Sequence, residues 1–126
     1  MSLRYPFAIV KPGLNVLTAP TPTYTYYIYG AGRNSSGQIG DGTASYRSSP
    51  TQVGSASTWT SVFNAEKTSI GVQSDGTLWT WAYGGQGALG QNDVVSRSSP
   101  TQVGWSTTWN LMAGSDRAIV INTSTT

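Results

Sequence analysis

An eight-residue segment occurs twice in this 126-residue chain without a single change. Residues 47–54 read Arg-Ser-Ser-Pro-Thr-Gln-Val-Gly, and residues 97–104 repeat them 50 positions later. The same offset pairs other positions without a gap, among them Gly37 with Gly87, Gly40 with Gly90 and Trp59 with Trp109. Because self-similarity at a fixed period is the signature of repeat architectures, the sequence predicts two copies of one structural unit.

Short strands and tight turns are predicted within each unit. Residues 77–81 alternate large apolar and polar side chains as a half-buried strand does, and residues 69–73, 109–113 and 118–121 also read as strands. Asp75-Gly76 between two of these runs is a strong hairpin signal. Pro100 suits the start of a strand or an edge, because it lacks a backbone donor.

About four short strands per 50 residues matches a β-propeller blade. The predicted fold class is therefore all-β, with two propeller-like blades of antiparallel sheet after an extended N-terminal arm. The arm comprises residues 1–25, the first propeller-type repeat residues 26–76 and the second residues 77–126. Prolines break the arm into short extended pieces. It could pack as a strand on the first blade, add to the sheet of a neighbouring subunit as an anchor, or be disordered.

The repeat resembles that of the regulator of chromosome condensation family. The likeness rests on residues 74–81, 87–90 and 97–103, and it extends from about Tyr26 to the C-terminus. The family pattern reads Asp-Gly, an aromatic strand ending in Trp-Gly, and then Gly-Gln-Leu-Gly. The resemblance implies propeller blades. The Ser/Thr/Trp-rich composition of the repeat most resembles that of bacterial and bacteriophage members of the family, in which such repeats serve as structural or adhesive modules.

Two departures from the family pattern bear on function. The Trp-Gly step is Trp81-Ala82 in one copy and Ala31-Gly32 in the other, and the usual histidine is replaced by Lys67 and Arg117. The eukaryotic founder of the family promotes nucleotide exchange on a small GTPase. No residues here support carrying that activity over, so regulation of a small GTPase is the least favoured function.

Catalytic chemistry has few candidate residues. Cysteine and histidine are absent, which removes thiolate chemistry, disulfides and the usual general base near neutral pH. The Gly84–Gly90 loop lacks the Lys-Ser/Thr of a phosphate-binding loop. The five acidic residues show no spacing typical of an acid–base pair or a metal cage: Asp41, Glu66, Asp75, Asp93 and Asp116. We therefore predict no enzyme activity, no catalytic residue, no cofactor and no metal site.

Charge and hydropathy narrow the class of partner. The seven basic residues are scattered and the net charge is only +2, so no nucleic-acid partner is predicted. No apolar run approaches the ~20 residues that span a bilayer, so no membrane partner is predicted. Other protein subunits, in an oligomer or a virion, are the predicted partners.

Two blades alone leave large open faces, because repeat proteins generally need at least three units to bury a continuous core. Residue 126 corresponds to Gly76, so the sequence stops just before the next aromatic strand is expected. Three interpretations follow. The residues begin a longer chain, several copies complete a larger structure, or a different protein covers an incomplete sheet.

Seven residues are candidates for partner binding. Four lie near the start of the arm, two in the tyrosine run of residues 24–29, which begins within the arm, and one beyond the second octamer: Tyr5, Phe7, Ile9, Val10, Tyr24, Tyr26 and Trp105. The tyrosine run is either a sugar-stacking platform or a strand with Tyr on both faces at a blade edge. Trp105 corresponds to Ser55, so it is not a repeat-core residue, and it is the first aromatic to test as an exposed contact. Trp59 and Trp109 occupy equivalent positions and are predicted core residues.

The favoured function is a structural, non-catalytic virion protein of a bacteriophage, such as a capsid decoration, neck, tail or fibre component. The N-terminal arm would anchor it and the blades would project. The alternative is a secreted or cell-surface binding module, an inhibitor or adhesin that uses the propeller loops.

Overall fold

The computed structural model describes residues 19–112 and 119–122, with side chains described as far as Asn110. Apart from one 3₁₀ turn at Gly85–Gly87, every regular element in this part of the chain is a β-strand. The strands are β1 (Tyr29–Gly32), β2 (Arg47–Gln52), β3 (Trp59–Asn64), β4 (Thr68–Gln73), β5 (Leu78–Ala82), β6 (Arg97–Gln102), β7 (Trp109–Met112) and β8 (Ile119–Asn122). The described chain is all-β, as predicted.

The eight strands form three antiparallel sheets. The central sheet is a meander in the order β3-β4-β5-β6, and β1–β2 and β7–β8 are two-stranded. The meander takes its first two strands from residues 26–76 and its last two from residues 77–126. The meander therefore does not coincide with one sequence repeat, because it combines two strands from each repeat.

The hairpin β1–β2 has the same register as β5–β6, 50 residues later. Tyr29 pairs with Gln52 as Trp79 pairs with Gln102, and both hairpins shift register before their last pair. The β7–β8 hairpin is out of step with β3–β4. Trp109 pairs with Asn122, which is the counterpart of Val72, whereas Trp59 pairs with Gln73.

The Asp75-Gly76 hairpin is confirmed between β4 and β5. Gly76 has φ +82° and donates its N–H to the Gln73 carbonyl at 2.9 Å, and the Asp75 carboxylate accepts the Thr77 N–H at 3.0 Å. Asp75 is thereby explained by its turn, as expected. Pro100 lies within β6, an edge strand of the meander, so the edge alternative holds for it. Pro50 has the equivalent place in β2.

The core lies on both faces of the meander. One cluster contains Val53, Trp59, Trp81 and Ala82, and the other contains Ile70, Val72 and Leu78. Each aliphatic side chain of the size of Val, Ile or Leu among them contributes roughly 1.5–3 kcal/mol on full burial. Trp59 is a core residue, as predicted, with its ring centroid 5.9 Å from that of Trp81, and its counterpart Trp109 is half-buried against the second cluster.

Among the described residues, no helix combines the length and apolarity needed to cross a bilayer.

Candidate assembly surface

Two equivalent glycine turns shape the loops that follow β1 and β5. In the first turn, Gly37 donates its N–H to the Asn34 carbonyl and Gly40 donates to Gly37, each at 3.0 Å. In the second turn, Gly87 donates to Gly84 at 3.2 Å and Gly90 donates to Gly87 at 3.1 Å. The paired glycines all have positive φ, which favours Gly because it lacks Cβ. The two turns therefore share one backbone design.

The first turn packs tightly against the meander. The Gln38 carbonyl accepts the Trp81 indole N–H at 2.9 Å and the Ser69 hydroxyl at 2.8 Å. A Cβ on Gly40 would lie 2.6 Å from Trp81 Nε1, and a Cβ on Gly37 would lie 2.6 Å from the Ser98 Cα. Glycine is needed at both positions because the turn backbone touches β5 and β6.

The second turn presents the same backbone to open space. A Cβ on Gly87 would meet no heavy atom within 4 Å, and one on Gly90 would meet only Val103 Cγ1, at 3.7 Å. Val103 itself is half-buried, whereas its counterpart Val53 is buried beneath the first turn. The contacts that the first turn makes with β5 and β6 thus have no equivalent at the second turn in the described part of the chain.

The strand β1 is more exposed than its counterpart β5. Trp81 in β5 is 1 % exposed, but its counterpart Ala31 in β1 is exposed. Tyr29 is 57 % exposed, although its counterpart Trp79 packs beside the core. Within the described residues β1 pairs with β2 alone. Within the described residues, the face of β1 that carries Tyr29 and Ala31 is therefore exposed and one edge of β1 has no paired strand, whereas β5 is buried and pairs on both edges.

A groove of about 170 Å³ is lined by residues of β1 and of the meander. Ile28, Gly30 and Ile39 line one wall. The other wall belongs to the meander and includes Val62, Asn64 and Ser69. Val62 is exposed although it lies within β3, so this groove leaves apolar surface of the central sheet uncovered.

The acidic side chains of the loops act as internal braces. Asp41 has a 4 % exposed side chain, and it accepts hydrogen bonds from Arg47 Nε at 2.7 Å, Thr43 Oγ1 at 2.7 Å and the Thr43 N–H at 3.0 Å. Burial acts to raise the pKa of Asp41, but the hydrogen bonds from Thr43 and Arg47 outweigh it and lower the pKa to about 2.

Asn34 links this brace to the glycine turn. Its side-chain oxygen accepts the Ile39 N–H at 2.9 Å, and its amide donates to the carbonyls of Thr43 at 3.0 Å and Ser45 at 2.9 Å. Asn34 is fully buried. It therefore fixes the loop between β1 and β2 from within.

In the loop between β5 and β6, the arginine pairs with a carboxylate at a different position of the repeat. Arg97, the counterpart of Arg47, pairs with Asp93 at 2.8 Å, and Asp93 corresponds to Thr43 rather than to Asp41. The pKa of Asp93 is lowered to about 2 by hydrogen bonds from Arg97 and the Val95 N–H. The Thr77 hydroxyl and N–H likewise lower the pKa of Asp75. These three carboxylates are engaged in loop structure.

Three of the predicted partner-binding residues lie in the described chain, and all three are exposed. Tyr24 and Tyr26 precede β1, with ring centroids 6.2 Å apart, and Trp105, which is 96 % exposed, lies between β6 and β7. Tyr5, Phe7, Ile9 and Val10 lie outside the described residues. In the part of the chain that is described, no three His, Cys, Asp or Glu side chains form a group that could hold a metal ion.

Sequence reasoning missed the open turn at Gly87–Gly90 and the open face of β1. The available signal was the replacement of Trp81 by Ala31 at equivalent positions. No family model matches the chain, and no curated protein matches it.

Proposed function

We propose that this chain is a structural, non-catalytic virion protein built from β-propeller blades of the regulator of chromosome condensation type. The meander β3–β6 is one whole blade under this proposal, and β1–β2 and β7–β8 are halves of the blades on either side. The resemblance described above supports the bacteriophage assignment. The N-terminal arm of residues 1–25 anchors the subunit to its neighbours in the particle.

The observation that carries this proposal is the exposed side of β1, which pairs with β2 alone within the described residues. An unpaired strand edge beside exposed apolar surface is a template for another protein segment. The carboxylates of Asp41, Asp75 and Asp93 are taken up by loop hydrogen bonds, so the described surface offers protein contacts in place of an acid–base pair.

Particle incorporation tests the proposal. Virions purified by density gradient from the host that encodes the chain are analysed by quantitative mass spectrometry. We expect peptides of this chain at a fixed ratio to the major structural proteins, and we expect a variant lacking residues 1–25 to stay in the particle-free fraction. Finding the full chain only in the particle-free fraction would contradict the proposal, and incorporation of the truncated variant would contradict the anchor.

The exposed Trp105 favours a second candidate, a secreted or surface binding module. A fully accessible indole on a loop is a typical contact residue, because Trp is enriched at the centres of protein interfaces. A chain that is monomeric, absent from particles and able to retain one partner through Trp105 would support this candidate over the virion protein.

A further inference from the structure

We infer that one end of the sheets is a binding surface for an uncharged polysaccharide. The surface consists of the four segments that lead into β1, β3, β5 and β7, and it is called the aromatic row below: residues 24–27, 54–58, 73–76 and 104–108. The inference goes beyond the proposed function, which assigns the chain no ligand other than protein.

Backbone hydrogen bonds place the first three segments of the aromatic row side by side. Tyr26 donates its N–H to the Ser57 carbonyl at 2.9 Å, and Tyr26 also forms an isolated bridge with Thr58. Ser74, in the turn between β4 and β5, donates its N–H to the Thr58 carbonyl at 2.7 Å. The segment before β3 therefore lies between the tyrosine run and this turn.

The fourth segment lies against the same turn from the other side. Trp109, the first residue of β7, donates its N–H to the Gly76 carbonyl at 3.2 Å. A Cβ on Gly76 would overlap the carbonyl oxygen of Thr107, so the turn and the segment are in contact. The four segments thus form one continuous row at the end where β1, β3, β5 and β7 begin.

Strongly exposed aromatic side chains stand at both ends of the row. Tyr24 and Tyr26 are 67 % and 57 % exposed in the first segment, and Trp105 is 96 % exposed in the last. The two tyrosine rings are inclined to each other by 42° with their centroids 6.2 Å apart. Tyr and Trp combine an apolar ring face with a polar group at the edge. A sugar ring has the same combination, with an apolar C–H face and hydroxyls around its rim.

Hydroxyl side chains occupy the row between these aromatic residues. Ser55, Thr58 and Ser74 are exposed there, and Thr107 is exposed near Trp105. Each hydroxyl can donate one hydrogen bond and accept others, as the hydroxyls of a sugar do. The middle of the row therefore offers polar contacts to a glycan whose rings stack on the aromatic ends.

The row carries almost no charge. Its four segments contain no Lys and no Arg, and their one acidic residue is Asp75. The Asp75 carboxylate accepts the Thr77 hydroxyl at 2.6 Å and the Thr77 N–H at 3.0 Å. Because binding of a polyanion depends on basic side chains, the row does not suit a nucleic acid or an acidic glycan. Its composition fits an uncharged polysaccharide.

The length of the row suits an extended sugar chain. Neighbouring strands lie about 4.8 Å apart, which is close to the length of one sugar unit in an extended polysaccharide. About four strand-to-strand steps lead from Tyr26 to Thr107, so the row is roughly 20 Å long. We therefore expect it to contact about four consecutive sugar units.

Affinity electrophoresis of the full chain tests the inference. Native gels each contain one polysaccharide: the uncharged probes are dextran, laminarin, galactomannan and xylan, and the charged probe is dextran sulfate. We expect at least one uncharged polysaccharide to retard the chain, and we expect affinity for its oligosaccharides in calorimetry to rise with length up to about four units. Retardation by dextran sulfate alone, or by none of the probes, would overturn the inference.

Substitutions assign the binding to the row. Trp105→Ala should weaken binding of the retarding polysaccharide about tenfold and Tyr24→Ala about threefold, whereas Trp105→Phe should keep most of the affinity. Tyr46→Ala is the matched control, because Tyr46 is 66 % exposed but precedes β2, at the opposite end of the β1–β2 hairpin. Thermal melts confirm that each variant is folded. Unchanged binding by Trp105→Ala, or an equal loss in Tyr46→Ala, would overturn the inference.

A protein ligand is the competing outcome. If the chain retains a protein through Trp105 while no uncharged polysaccharide binds, the row is a protein-binding surface and the inference fails. Particle incorporation is measured separately, so polysaccharide binding by a chain that is absent from virions would leave this inference standing without the proposed function.

Discussion

The backbone of Gly40 lies against the indole edge of Trp81, and a Cβ at Gly40 would fall 2.6 Å from Trp81 Nε1. We expect Gly40→Ala to lower the free energy of unfolding by about 2–4 kcal/mol. The added methyl group must displace the indole, and the alanine backbone must adopt a positive φ. Urea unfolding followed by tryptophan fluorescence measures the change.

Gly90→Ala is the matched control for that substitution. Gly90 has the same kind of turn and a positive φ, but a Cβ there would have 3.7 Å of clearance. We expect Gly90→Ala to lower the free energy of unfolding by only about 1–2 kcal/mol, because backbone strain is then the main cost. Equal losses at the two positions would contradict the role assigned to the Gly40–Trp81 contact.

Two buried tryptophans should respond differently to phenylalanine. Trp59 Nε1 is buried without a hydrogen-bond partner, whereas Trp81 Nε1 donates to the Gln38 carbonyl at 2.9 Å. Trp59→Phe loses ring area but removes an unsatisfied donor, so we expect a cost of about 1 kcal/mol or less. Trp81→Phe loses both area and a hydrogen bond and should cost about 2–3 kcal/mol. Thermal melts of the two variants would show the difference, and a reversed order would refute it.

Acid should weaken the loop that Asp41 braces. The pKa of Asp41 is about 2 in the folded chain against an ordinary value of 3.8, so the folded state binds its proton less readily than the unfolded state. The resulting stability is present above pH 4 and is lost as the pH falls from about 4 toward 2. In melts across this range, Asp41→Asn should be less stable than the natural chain at pH 7 and should show a shallower decline. If the stability of Asp41→Asn fell with pH as steeply as that of the natural chain, Asp41 would not be the source of the acid sensitivity.

Asn34 should be the most sensitive polar residue of the first loop. Asn34→Ala leaves the buried Ile39 N–H and two carbonyls without their partner, which should cost about 2–4 kcal/mol. Asn34→Asp keeps the acceptor but sets a second carboxylate near Asp41, 3.4 Å away in the present contact, and should be no more stable than the alanine variant at pH 7. Rescue by aspartate would indicate that the acceptor alone matters.

Trp105→Ala should leave stability within about 0.5 kcal/mol, because the side chain is almost fully exposed. Its effect should appear only in partner binding, measured by pull-down from host lysate followed by calorimetry with the purified partner. The matched control is Tyr46→Ala, another exposed aromatic on a loop. A large loss of stability at Trp105 would mean that the indole packs within the fold.

The sequence was sufficient to predict β4 and β5 of the central meander and the hairpin at Asp75-Gly76, because alternating side chains and turn residues act locally. It also predicted Trp59 as a core residue through its repeated position. The brace on Asp41 was not predictable in this way. Arg47 and Arg97 belong to identical octamers, yet Arg47 pairs with Asp41 and Arg97 pairs with Asp93. These two carboxylates lie two residues apart in the repeat, and the backbone of each loop determines which position the arginine can reach.

The open surfaces were also beyond a local analysis. Both glycine turns have the same sequence signature, and their environments differ only through what packs on them from distant strands. Ala31 carried a partial signal, since an alanine at the position of a buried tryptophan indicates that the surroundings of the two repeats are not the same.

Pro50 and Pro100 lie within β2 and β6, the outer strands of their sheets. A proline has no N–H to offer, so each of these edges is a poor template for a further strand. In these two sheets, addition of a further strand is therefore discouraged at the edge that carries the proline, which protects that edge from the strand stacking that leads to amyloid-like aggregation.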